Sequence, residues 1–81
     1  MFGMNIKEMK NLLDAYIKSE GMDYVLMSEC EYPRYGIFRI SEVSEQGATV
    51  QYQIFRDGTI MKNGKQVLNW RQSEELLKAV A

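Results

Sequence analysis

An 81-residue chain has room for one modest hydrophobic core, and 46% apolar with 26% charged residues is the composition of a globular domain rather than a disordered or fibrous one. A formal net charge of −1 lacks the strongly basic footprint of a dedicated nucleic-acid binder, and the complete lack of histidine removes the commonest general base and metal ligand. No apolar run approaches the roughly 20 residues needed to span a bilayer, and the single cysteine, Cys30, cannot pair within the chain, so a reducing, cytoplasmic address is expected.

The first predicted element starts at Asn5, whose side chain can cap a helix while Glu8 completes a capping box, with Met4 and Met9 at the positions of a hydrophobic staple. Met9, Leu12, Leu13, Tyr16 and Ile17 then recur at helical spacing, and Gly21 supplies a left-handed stop. This predicts a helix from about Ile6 to Glu20. A short apolar strand follows over Tyr24 to Met27, with Pro33 in a turn beyond it. Cys30 reads as a small buried hydrophobe, with no histidine to activate it.

From Tyr35 to Leu68 the chain reads as a β-meander punctuated by Ser44-Glu45-Gln46-Gly47, Asp57-Gly58 and Asn63-Gly64. Taking Glu45-Gln46-Gly47 as a loop sets Glu42 opposite Val50, Ile40 opposite Tyr52 and Phe38 opposite Ile54. Phe38, Ile40, Val50, Tyr52 and Ile54 then share a core face. The other face carries Ile37, Arg39, Ser41 and Val43 against Phe55, Gln53, Gln51 and Thr49. Asp57-Gly58 as a two-residue turn places Ile60 opposite Phe55 and Lys62 opposite Gln53, and Asn63-Gly64 places Val67 opposite Ile60. A second helix, started by Asn69 with Gln72 or by Ser73 with its following glutamates, carries Leu76, Leu77 and Val80. The expected fold is α+β: an antiparallel β-meander of about four or five short strands with an N-terminal and a C-terminal helix, forming one domain over residues 1–81.

Two helices suffice to cover one face of a small sheet, which leaves the second face in need of an occupant. Ile37, Phe55, Ile60 and Val67 cluster there beside Arg39 and Lys62. Either the second helix, with Trp70 and Leu77, folds over them as further core, or they form a surface for self-association or for a different protein. A nucleic-acid platform is the weaker fit, because Phe55 is the only aromatic residue assigned to that face. Glu31-Tyr32-Pro33-Arg34-Tyr35 is the other candidate, since tyrosine and arginine carry disproportionate binding energy once buried. Its plainer alternative is a loop whose tyrosines pack on the core edge. Together the two regions nominate Tyr32, Arg34, Tyr35, Ile37, Arg39, Phe55, Ile60 and Lys62.

Acids outnumber lysines before Tyr32, whereas Arg34, Arg39, Arg56, Lys62, Lys65 and Arg71 outnumber the acids between Tyr32 and Gln72. That asymmetry would steer the sheet toward an acidic partner. Catalytic triads and glycine-rich nucleotide loops are missing, and Glu29/Glu31 or Glu42/Glu45 form no ordered metal-ligand series. The expected function is therefore that of a non-catalytic intracellular interaction protein, an inhibitor or adaptor that occludes a protein partner without cofactor, metal or membrane. Homo-oligomerisation stays open, binding of nucleic acid or a nucleotide is the first alternative, and an enzyme using Cys30 or a carboxylate is the second. Small phage and mobile-element inhibitors share this layout, an analogy of size and architecture that no residue motif supports.

Overall fold

The computed structural model describes residues 3–43 and 48–80, in which α1 (Ile6–Ser19) is followed by β1 (Tyr24–Glu31), β2 (Tyr35–Glu42), β3 (Thr49–Phe55), β4 (Ile60–Lys62), β5 (Lys65–Leu68) and α2 (Trp70–Val80). The strands form one antiparallel sheet in the order β1-β2-β3-β4-β5, so the predicted α+β meander is the observed architecture. No helix among the described residues is long and apolar enough to cross a membrane.

Each helix starts at a reciprocal cap. The Asn5 side chain accepts from the Glu8 amide at 2.8 Å while Glu8 accepts from the Asn5 amide at 2.9 Å, and Asn69 and Gln72 repeat the pattern at 2.8 and 2.9 Å. Losing such a cap costs about 1 kcal/mol. Asn69 rather than Ser73 therefore opens α2. Ser73 lies one turn inside, buried, and its hydroxyl donates to the Gly58 carbonyl.

The amphipathic face of α1 buries Met9, Leu12, Leu13 and Ile17 against Phe38, Ile40, Val50, Tyr52 and Ile54. Complete burial of such side chains is worth roughly 1.5–3 kcal/mol each, which makes this layer the main source of stability. Gly36 lets α1 approach the sheet: a Cβ there would lie 3.0 Å from both Ile6 Cδ1 and Phe38 Cε2. Leu76 and Leu77 of α2 pack against the same buried cluster, so both helices cover one face, and among the described residues no helix lies over the opposite face. The alternative in which Trp70 and Leu77 cover the outer face is thereby overturned.

The turns set the register, and two pairings differ from expectation. Between β2 and β3, Ile40 faces Val50, Phe38 faces Tyr52 and Gly36 faces Ile54, a slip of two positions that leaves both faces unchanged because strand side chains alternate with period two. Pairing there ends where the Glu42 amide donates to the Ala48 carbonyl at 3.1 Å, and the expected Ser44-Glu45-Gln46-Gly47 turn lies outside the described residues.

Between β3 and β4 the slip is a single position, and its effect is larger. The Phe55 amide donates to the Thr59 carbonyl at 2.9 Å, closing a three-residue loop of Arg56, Asp57 and Gly58. Gly58 takes φ 102° there. Asp57 stabilises the loop by accepting from the Thr59 amide at 2.8 Å. Ile60 consequently faces Ile54 and is fully buried, Met61 faces Gln53, and Lys62 faces Tyr52 on the helix-covered side, 3.8 Å from Glu42. The outer-face positions expected for Ile60 and Lys62 are therefore corrected. Asn63-Gly64, with φ 48° and 85°, is the predicted two-residue primed turn, but a bulge puts Leu68 rather than Val67 opposite Ile60.

β1 is twice the expected length and forms one edge of the sheet. A bulge between Leu26 and Ser28 interrupts it. Beyond the bulge Cys30 faces Ile37 on the outer side and is exposed, which corrects its expected burial: among the described residues no layer lies over this outward position on the edge strand.

Candidate functional site

β1 and β2 are joined by a tight turn at Pro33-Arg34, closed by the Tyr32 amide donating to the Tyr35 carbonyl at 2.8 Å. Proline fixes one backbone torsion of that turn. The flanking residues project to the outer face, where the Tyr32 and Tyr35 rings lie 5.2 Å apart. The Tyr35 ring meets Phe55 edge-on at 5.5 Å. Such spacings are favourable for aromatic pairs. The result is a row of three rings across β1, β2 and β3, with Tyr32 42% exposed.

Arg56 fixes this turn in place. Its Nε donates to the Pro33 carbonyl at 2.7 Å, one terminal nitrogen donates to the Met4 carbonyl at 2.8 Å, and the other donates to the Tyr32 carbonyl at 2.8 Å and to Glu31 at 3.1 Å. The backbone joins in as well. The Arg56 amide donates to the Arg34 carbonyl at 3.3 Å and the Met4 amide donates to the Arg56 carbonyl at 2.9 Å. Planar guanidinium donors suit several convergent oxygens at once.

Of the eight nominated residues, Tyr32, Tyr35, Ile37, Arg39 and Phe55 share the outer face and Arg34 occupies the turn beside them. Ile60 and Lys62 do not belong to the site, while Met61 takes the outer position opposite Gln53. Arg39 is exposed, with Nε 3.3 Å from Gln51 Oε1. The described strand positions of this face carry Arg39 and no carboxylate, the rest being hydroxyl, amide or apolar side chains. Val25 and Met27 extend the apolar area toward the β1 edge at 58% and 59% exposure.

Sequence reasoning missed Arg56 because its partners, Met4 and Pro33, are remote in the chain. It also treated the tyrosine turn and the sheet face as separate candidates, although β1 continues into the turn and makes them one surface. Among the described residues no group of three His, Cys, Asp or Glu side chains is placed to hold a metal ion. The chain matches no protein-family model, no curated protein and no solved structure.

Proposed function

We propose that the chain is a non-catalytic interaction protein that occludes a protein partner, as inhibitor or adaptor, through the open sheet face and the Tyr32–Tyr35 turn. The observation that carries this reading is the row of Tyr32, Tyr35 and Phe55 rings on an uncovered face, held by the Arg56 hydrogen bonds. Rigid aromatic anchors lose little conformational entropy on binding, and a pre-ordered turn reduces the cost further. Arg34 in the turn and Arg39, two outer positions along β2 from Tyr35, on a face whose described strand positions carry no carboxylate, suit a partner whose contact surface is acidic. The free, exposed Cys30 fits a reducing compartment such as the cytoplasm.

Co-purification from the native cell followed by a binding titration tests the reading. Alanine at Tyr32, Arg34 and Arg39 together should weaken the partner at least about tenfold, because central aromatic and arginine anchors are commonly worth 2 kcal/mol or more. Unchanged affinity would sink it.

A second reading has specific support, because the structure places Tyr32 and Tyr35 on the face to which the sequence assigned only Phe55. Aromatic rings beside arginines can stack the bases of a single strand. Fluorescence anisotropy with short DNA and RNA strands decides it: salt-sensitive binding supports that class, and no binding at low salt removes it.

A further inference from the structure

Both helices begin at the same end of the molecule, and an open pocket of 470 Å³ lies there between α1, the β3–β4 turn and α2. It shares no residue with the aromatic row. Met4, Trp70 and Leu77 supply apolar walls, and Ser73 beside Gly58 contributes to the lining. Glu8, Asp57 and Glu74 bring three carboxylates to the same pocket. None of them is in an ion pair among the described residues. Glu8 and Asp57 each use one oxygen on a backbone amide, leaving the other oxygen for a ligand.

The Trp70 ring already holds a cation. The Arg71 guanidinium, which does not line the pocket, sits 5.2 Å from the ring centroid. Two helix N-termini contribute roughly half a positive charge each, Arg71 adds one more, and the Arg56 guanidinium at the Met4 carbonyl is balanced by its ion pair with Glu31, so the three carboxylates exceed the cations described around the pocket. Its volume is that of a small-molecule site, and a half-exposed tryptophan beside carboxylates is a suitable wall for a cation with a hydrocarbon body.

We propose that this pocket binds an organic cation with an apolar stem, its ammonium or guanidinium head among Glu8, Asp57 and Glu74 and its stem against Trp70, Leu77 and Met4. The site is independent of the sheet face, so either assignment can fail without the other.

Trp70 is the only tryptophan, so its fluorescence reports occupancy. The full chain is titrated with phenethylammonium chloride, with neutral 2-phenylethanol and with anionic 3-phenylpropionate. The cation should saturate at least about tenfold tighter than the alcohol, with the anion weakest, as expected for a charged head in a partly desolvated site. Glu74→Gln removes a carboxylate outside both helix caps, and circular dichroism checks that the variant folds. It should weaken the cation about threefold and leave the alcohol unchanged. Equal binding of cation and alcohol, no loss in the folded Glu74→Gln variant, or no saturable signal with the cation overturns the proposal.

Discussion

Arg56 Nε lies 2.7 Å from the carbonyl oxygen of Pro33, so a residue of the β3–β4 turn holds the tip of the β1–β2 turn. Strand pairing alone would leave that tip attached only through its own hairpin. With the same guanidinium reaching Met4, Tyr32 and Glu31, the turn becomes part of a three-way junction with the N-terminal segment.

Arg56→Ala is expected to lower stability by about 2–3 kcal/mol, since charge-assisted hydrogen bonds are lost together and several carbonyls lose their partner. Arg56→Lys should recover only part of this, because one ammonium cannot match a planar fork. Urea unfolding gives the stability, and hydrogen exchange at the Tyr32 amide should accelerate in both variants. Wild-type exchange in Arg56→Ala would contradict the junction.

Ile60 and Met61 discriminate the observed register from the one read out of Asp57-Gly58. Ile60→Ala should cost about 2–4 kcal/mol because its side chain is fully buried, whereas Met61→Ala on the uncovered face should cost less than about 1 kcal/mol. Equal or reversed costs in denaturant titrations would contradict the assigned faces.

Gly36→Ala is expected to destabilise by about 1–3 kcal/mol through overpacking. The added methyl meets Ile6, Phe38 and the Met9 sulfur at 3.0, 3.0 and 3.3 Å. Thermal unfolding measures the loss. An unchanged midpoint would mean that α1 rides farther from the sheet than observed.

Alkaline pH should weaken the fold. Burial, reinforced by the hydrogen bond to Asp14 at 2.7 Å, pushes the Tyr24 phenol up to about 12, and burial also raises Tyr16 and Tyr52. In the unfolded chain these phenols ionise near 10. Above that pH the unfolded state holds fewer protons, so stability is complete below about pH 10 and falls as pH rises through about 12. Denaturant midpoints between pH 9 and 12 should decline, less steeply in Tyr24→Phe. Identical slopes would remove Tyr24 from the account.

The parts of the fold legible in the sequence were those whose determinants sit close together. Asn5 with Glu8 and Asn69 with Gln72 are reciprocal pairs three residues apart, and Asn63-Gly64 contains its whole turn signal. Alternation identified the inner face of β2 and β3 even though the partners were displaced by two positions. Asp57-Gly58 misled because the hydrogen bonds from Phe55 to Thr59 and from Gly58 to Phe55 enlarge that turn by one residue. Ile60 and Lys62 changed sides as a result. The second half of β1 was hidden for a different reason: Ser28, Glu29, Cys30 and Glu31 are all exposed, so an edge strand there leaves no apolar alternation to read.

The order of strands across the sheet repeats their order along the chain, so every hairpin closes a short loop and the sheet can assemble by successive local steps. The bond from Arg56 to the Met4 carbonyl instead joins positions 52 residues apart. Pulse-labelled hydrogen exchange should therefore protect the Met4 amide after those of β2 and β3, and earlier protection would refute this sequence of events. A nascent or partly refolded chain would then hold a formed sheet before it displays an ordered aromatic tip, which makes the proposed binding surface one of the last parts of the molecule to be completed.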